Sequence, residues 1–71
     1  MKRIAVTIKV FGQRKARKVT LPPRSKVADL LKLLGYNPDV VAVRCNKKIV
    51  PEEERLANGD LVEIIPIVTG G

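Results

Sequence analysis

The sequence contains no histidine and only one cysteine, Cys45. A lone cysteine excludes an intrachain disulfide and any metal site built from paired thiolates. Without histidine, the chain also lacks the commonest general base, the commonest metal ligand and the usual partner of a serine or cysteine nucleophile. We therefore expect a protein that is not an enzyme and that binds neither a metal ion nor another cofactor itself.

Long hydrophobic runs are absent as well. Charged residues interrupt every apolar stretch of the N-terminal segment MKRIAVTIKVF, which excludes a signal peptide core or a membrane span there. The 71 residues, 45% of them apolar, leave room for one domain with one small core. We expect residues 1–71 to form a single domain in the cytoplasm, without membrane contact.

The N-terminal part of the chain predicts a β-hairpin. Between Lys2 and Val10, apolar residues alternate with polar or small ones, which is typical of a half-buried strand. A polar loop follows, and a second alternating run contains Val19 and Leu21. Pro22 and Pro23 are expected to end this second strand.

One helix is predicted after the hairpin. Its apolar residues recur at the i, i+3, i+4, i+7 spacing of one helical face, namely Val27, Leu30, Leu31 and Leu34. Ser25 is the expected N-cap, and Gly35 is expected to take the left-handed conformation after the last turn. Leu33 lies off the apolar stripe, so it is expected to be partly exposed.

Further strands are predicted at Val40–Cys45, at the short segment Ile49-Val50 and at 61–68, with a turn at 58–60. One helix and these strands can bury their apolar faces only as two layers. The first and last strands are the most hydrophobic, which favours a parallel pair at the centre of the sheet. We therefore predict an α+β fold of the β-grasp (ubiquitin-like) type, a mixed four- to five-stranded sheet packed on one main helix.

The sequence resembles the ubiquitin-like sulfur carriers of the ThiS and MoaD type and the small archaeal modifier proteins related to them, most specifically at its C-terminal end. The resemblance rests on the turn Asn58-Gly59-Asp60, on Val62 and Ile64 at alternate positions, and on the terminal Gly70-Gly71. The segment 46–51 is more similar to ThiS, whereas 64–71 is more similar to MoaD. The resemblance covers nearly the whole chain.

The resemblance implies chemistry at the Gly71 carboxylate. A ThiF/MoeB-like activating enzyme would adenylate it with ATP, and the acyl-adenylate would become a thiocarboxylate. A thiazole synthase, a molybdopterin synthase large subunit or a tRNA thiolase would then accept the sulfur; conjugation to lysines is the alternative. Thr69 and Gly70 would enter the partner's active site, with 69–71 as a flexible tail, since glycine has no side chain to clash there.

The last strand also predicts a partner-binding patch. Leu61, Ile65 and Ile67 share the parity of Glu63, which is expected to face away from the helix. An exposed apolar patch in this position would lie beside the tail, where an activating enzyme has to bind. The alternative is that the strand is central and twisted, or that Pro66 introduces a bulge, so that Ile65 or Ile67 turns inward.

Positive charge is the remaining unusual property, with a formal net charge of +7. Four of the cations cluster around the predicted hairpin loop: Arg14, Lys15, Arg17 and Lys18. We interpret the cluster as a solvated surface, because recognition of single strands usually requires aromatic platforms and the chain has only Phe11 and Tyr36. The alternative is a basic nucleic-acid-binding module with an inert tail.

Two other groups are interpreted structurally. Cys45 shares the parity of Val41 and Val43, so we expect it to be buried in a strand, where it behaves as a small hydrophobic residue. The acidic run 52–54 is expected to be a solvated turn and not a metal site.

Overall fold

The computed structural model describes residues 2–67, so the predictions for Thr69, Gly70 and Gly71 lie outside the described residues. The described part contains five strands, one α-helix and a short 3-10 turn at Pro38–Val40. Their bounds are β1 Ile4–Val10, β2 Arg17–Leu21, α1 Val27–Leu34, β3 Val41–Cys45, β4 Lys48–Val50 and β5 Leu61–Pro66. The order of elements agrees with the sequence prediction.

The five strands form one mixed sheet in the order β2-β1-β5-β3-β4. Strands β1 and β5 are parallel, with Thr7 beside Leu61, and every other pair is antiparallel. The shorter strand of each hairpin, β2 and β4, lies at an edge of the sheet. This arrangement confirms the predicted β-grasp fold, including the parallel pair inside the sheet.

The core lies between one face of the sheet and the helix. Twelve buried apolar residues form it: Val6, Ile8, Leu21, Val27, Leu30, Leu31, Val41, Val43, Cys45, Leu56, Val62 and Ile64. Leu34 is half-buried and Leu33 is 61% exposed, as the helical spacing predicts. Leu56, from the segment between β4 and β5, was not anticipated.

The prediction of Ser25 as the N-cap of α1 is wrong. The helix begins at Val27 with Lys26 as its N-cap, whose N–H donates to Asp29 Oδ2 at 2.9 Å. Ser25 lies outside the helix, where its buried hydroxyl donates to the Pro22 carbonyl at 2.7 Å. The hydroxyl of a serine between a proline turn and a helix can hydrogen-bond to either one, and here it bonds to the turn.

The first two amides of α1 are satisfied by a distant loop. The Val27 and Ala28 N–H groups donate to the carbonyls of Glu54 and Glu52, each at 2.9 Å. These bonds serve orphan donors of the first helical turn. The acidic run is therefore a solvent-exposed turn, as expected, and its backbone also completes the helix.

At its other end, α1 terminates as the sequence predicts. Gly35 has φ of 83° and its N–H donates to the Lys32 carbonyl, while the Tyr36 N–H donates to the Leu31 carbonyl. This pair of bonds is a Schellman motif, which requires the left-handed conformation that glycine adopts without strain.

The turn before β5 connects three parts of the sheet. Asn58 Oδ1 accepts from the Ala5 N–H at 2.8 Å, and the Gly59 N–H donates to the Ala5 carbonyl at 2.7 Å. Asn46, after β3, accepts from the Leu61 N–H and donates to Asp60 Oδ1, both at 3.0 Å. The turn thus fixes the start of β5 relative to both of its neighbours.

Strand ends differ slightly from the predicted bounds: β1 starts at Ile4 instead of Lys2, and β3 starts at Val41. Strand β5 ends at Pro66, and Val68 lies outside the described residues. Within residues 2–67, no helix combines the length and the apolar character needed to cross a membrane.

Candidate partner-binding site

The candidate site is on the outer face of the sheet, opposite the face that packs on α1. Along β5, Val62 and Ile64 are buried in the core, whereas Leu61 and Ile65 are half-buried and Ile67 is 47% exposed. Residues of one parity in a strand point to one side of the sheet. The three residues of the predicted patch therefore share the outer face.

Pro66 does not divert the strand. The β3–β5 ladder continues through it, with Pro66 opposite Val41, and the Ile67 N–H donates to the Val40 carbonyl at 2.8 Å. Proline is tolerated at this point because its missing N–H would have pointed toward β1, which has already ended at Val10. Ile65 and Ile67 consequently keep their outward parity, and neither turns inward.

An ion pair separates Leu61 from Ile65. Arg44 on β3 lies directly opposite Glu63 on β5, and its guanidinium donates from Nε to Oε1 at 3.0 Å and from Nη2 to Oε2 at 2.9 Å. The hydrogen bonds from Arg44 lower the pKa of Glu63, and Glu63 in turn raises the pKa of Arg44. Leu61 lies next to Thr7. The ion pair separates it from the apolar surface around Ile65 and Ile67.

Exposed apolar residues from other elements lie near that surface. Val40, paired with Ile67, is 48% exposed, and Phe11 at the end of β1 donates its N–H to the Ile64 carbonyl. Ile49 on edge strand β4 lies opposite Arg44. We call Val40, Ile65 and Ile67 the tail-side patch. Sequence reasoning placed Val40 at the start of the third strand but not in the patch, because its contact with Ile67 depends on the pairing of β3 with β5.

Residues 8–71 match the model of the ThiS family. The match spans most of the chain and includes the terminal Gly70-Gly71.

The chain belongs to the ThiS family.

Solved structures agree with the fold. The chain is similar to a Pyrococcus furiosus protein described as molybdopterin converting factor, subunit 1, at 23% identity and a TM-score of 0.77, covering 92% of this chain and 99% of that one. It is similar to SAMP1 from Haloferax volcanii at 23% identity and a TM-score of 0.73, covering 94% and 99%. Likeness to Caldiarchaeum subterraneum ubiquitin has 16% identity and a TM-score of 0.72, covering 99% and 100%. At these identities the likeness shows the fold alone.

In this ThiS-family chain, Cys45 is a core residue, as predicted. It is 8% exposed, and burial together with the neighbouring Asp60 carboxylate raises the pKa of its thiol to about 11. Burial opposes ionisation of Asp60, but hydrogen bonds from the Ala57 N–H, the Asn46 amide and the Cys45 thiol outweigh it and lower the Asp60 pKa. A thiol that stays protonated in this way is a poor nucleophile.

The remaining candidate groups are not part of the tail-side patch. Arg14, Lys15, Arg17 and Lys18 are all exposed in and around the β1–β2 loop. The carboxylates of 52–54 are exposed beside the helix N-terminus. Among residues 2–67, no cluster of three or more metal-ligating side chains is found.

Proposed function

We propose that this chain is a sulfur carrier protein whose Gly71 carboxylate is adenylated and thiocarboxylated by a ThiF/MoeB-like activating enzyme. The resulting thiocarboxylate would then donate its sulfur to an accepting synthase in thiamine, molybdopterin or tRNA thiolation chemistry. In this role the chain is a substrate and not a catalyst, and ATP is bound by the partner.

The match to the ThiS family through residue 71 carries this proposal, because it joins the compact fold to the terminal Gly70-Gly71 in one pattern. A carboxylate is a poor electrophile until one of its oxygens becomes a leaving group. Attack of the Gly71 carboxylate on the α-phosphate of ATP would release pyrophosphate and form an acyl-adenylate. Attack of hydrosulfide from the sulfur source on the Gly71 carbonyl carbon would then break its bond to AMP and leave the thiocarboxylate.

The tail-side patch supports docking of the activating enzyme. It lies on the outer face where the described part of β5 leads toward residues 69–71, and Ile67 is 47% exposed there. Apolar surface of this kind commonly marks an interface. Leu61 would take part only at the rim, since the Arg44–Glu63 pair lies between it and Ile65.

The test is to incubate the chain, ending at Gly71, with ATP, an activating enzyme and a sulfur source, and to measure its intact mass. We expect a gain equal to the replacement of one oxygen by one sulfur, located on the C-terminal residue by fragmentation. A variant lacking Gly70 and Gly71 is the matched negative control. The proposal fails if an enzyme that thiocarboxylates a known carrier leaves this chain unchanged.

A second candidate uses the same activated carboxylate. Capture of the acyl-adenylate by a lysine amine would make the chain a protein modifier, and its fold is shared with Caldiarchaeum subterraneum ubiquitin. The two candidates differ in product: a modifier gives target lysines joined to Gly71 by an amide bond, whereas a carrier gives a free thiocarboxylate. Mass spectrometry of tryptic peptides from cells expressing the chain distinguishes them.

A further inference from the structure

The net positive charge comes from the N-terminal part of the chain. Nine of the fourteen Lys and Arg residues lie in residues 2–28, which contain no Asp or Glu, and all seven acidic residues come from Asp29 onward. All nine cations are exposed. The β1–β2 hairpin and its flanks therefore present a cationic surface without any carboxylate of their own.

Several of these cations converge on the outer face of the hairpin. Lys18 on edge strand β2 lies opposite Thr7, which has the parity of Lys9, so both lysines belong to the outer face. Arg14, from the loop, lines a surface hollow of about 440 Å³ together with Lys9, Phe11 and Gln13. We call Lys9, Phe11, Arg14 and Lys18 the hairpin site.

Phe11 is the most exposed large apolar residue of the part that the structure describes, at 70%. Its position is fixed by the ladder, because its N–H donates to the Ile64 carbonyl at 2.8 Å. The turn that follows is closed by the Gln13 N–H donating to the Val10 carbonyl at 2.9 Å. The Phe11 ring is therefore exposed to solvent beside these cations, on a backbone position that the ladder fixes.

One carboxylate, that of Glu63, also lines the hollow, together with Arg44. Both of its oxygens accept hydrogen bonds from the Arg44 guanidinium, so the charges of this pair offset each other. Lys9 lies directly opposite Glu63 in the β1–β5 ladder, so part of its charge is offset as well. The other side chains that line the hollow are the Phe11 ring, Arg14 and the Gln13 amide.

We propose that the hairpin site binds single-stranded nucleic acid, with one base stacked on Phe11 and adjacent phosphates bound by Lys9, Arg14 and Lys18. Cationic grooves with an aromatic platform are how proteins bind single strands without sequence preference. An acidic protein surface would use the cations but has no need of an exposed ring. This inference goes beyond the proposed carrier function and does not depend on Gly71. It is an alternative to the interpretation of the cluster as a solvated surface.

The test measures binding of fluorescein-labelled oligouridylate and oligothymidylate by anisotropy over a range of salt concentrations. Log affinity is expected to fall linearly with log salt. Phe11→Ala should weaken binding about tenfold with an unchanged salt slope, because it removes stacking and no charge. Phe11→Trp should restore the affinity. Since Phe11 is exposed, thermal unfolding of both variants should match that of the wild type.

Charge variants give the second readout. Arg14→Gln with Lys18→Gln should reduce the salt slope by about 1.4, at about 0.7 for each phosphate contact on a single strand. The matched control, Lys32→Gln with Lys48→Gln, loses the same charge from exposed positions elsewhere and should keep the slope. Assaying the same charge variants for thiocarboxylation distinguishes a failure of the nucleic-acid proposal from a failure of the carrier function.

Three results would overturn the proposal. The first is that neither oligouridylate nor oligothymidylate shows salt-dependent binding at low ionic strength. The second is an equal loss of slope in both charge variants, which would show diffuse attraction without a site. The third is competition by polyglutamate as effective as that by oligouridylate, with normal binding of Phe11→Ala, which would assign the hairpin site to an acidic protein.

Discussion

Arg44 and Glu63 form a two-bond ion pair across the β3–β5 ladder, at 3.0 Å from Nε to Oε1 and 2.9 Å from Nη2 to Oε2. The pair lies on the outer face of the sheet, between Leu61 and Ile65 along β5. It bounds the apolar surface around Ile65 and Ile67, and it binds both carboxylate oxygens of Glu63, which lies opposite Lys9 of the hairpin.

The ion pair predicts an acid-dependent loss of stability. Because the pKa of Glu63 is lowered in the folded protein, its contribution is present above the ordinary glutamate pKa of about 4.3 and is lost as the pH falls through the lowered folded value. The difference in unfolding free energy between wild type and Arg44→Met, measured in urea, should be constant near neutral pH and shrink on acidification. Asp60 cancels in this difference, since both proteins retain it.

The control for that measurement is Lys48→Met, which removes an exposed positive charge from β4. Its difference from wild type should vary much less with pH than that of Arg44→Met. An Arg44→Met difference that stays constant down to complete protonation of carboxylates would show that the ion pair does not stabilise the fold.

The tail-side patch predicts a defect in activation. Ile67→Lys places a charge in the surface proposed to contact the activating enzyme, so kcat/KM for thiocarboxylation should fall at least about tenfold, mostly through KM. Leu33→Lys is the matched control, because Leu33 is also exposed, at 61%, but lies on the helix. Equal activity of the two variants in a steady-state assay would remove the patch from the interface.

Leu56 predicts a large effect on stability from a residue outside the regular elements. It is 5% exposed, and its N–H donates to the Ser25 carbonyl at 2.8 Å. Leu56→Ala should lower the unfolding free energy by about 2–5 kcal/mol, because it leaves a cavity in the core. Leu33→Ala, at an exposed position, should change it by less than about 0.5 kcal/mol. Urea unfolding followed by circular dichroism checks both values.

Cys45 predicts an unreactive thiol. With a pKa of about 11 against about 8.5 for a free cysteine, the thiolate fraction at mildly alkaline pH is roughly a hundredfold lower. Alkylation by iodoacetamide should therefore be at least a hundredfold slower in the native protein than in urea. Cys45→Ala should still gain sulfur in the carrier assay, whereas loss of that gain would place the sulfur on the thiol.

Periodicity was sufficient for the sheet and the helix. The alternation in β1 and β5 and the stripe from Val27 to Leu34 each indicate a face that the chain buries against itself, so local spacing predicted the two layers. The high hydrophobicity of the first and last strands predicted their parallel pairing inside the sheet. Gly35 was predictable for the same reason, since the left-handed position after a helix is a local requirement.

The N-terminus of the helix was not predictable in this way. Lys26 replaces Ser25 as the N-cap because the amides of Val27 and Ala28 are served by carbonyls of a loop far along the chain. Leu56 enters the core from the same loop, where its N–H donates to the Ser25 carbonyl. Neither feature has a local pattern, because each depends on two segments that meet only in the folded protein.

The candidate site was predictable in part. The parity of Leu61, Ile65 and Ile67 predicted the outer face, but the pairing of Glu63 with Arg44 depends on strand register. Phe11 shares the parity of Thr7 and Lys9, so its outward position was available from the sequence; its degree of exposure was not.

The pairing of Ala5 with Asn58 joins positions 53 residues apart, and it has a consequence for synthesis. The centre of the sheet cannot be completed until β5 has been made, because β5 joins β1 to β3. A nascent chain that stops before residue 61 lacks the strand that unites its two halves, and contacts of such long separation form late. Folding of the sheet therefore waits for the synthesis of β5, so that an activating enzyme that requires the folded surface would reject chains that stop before this strand.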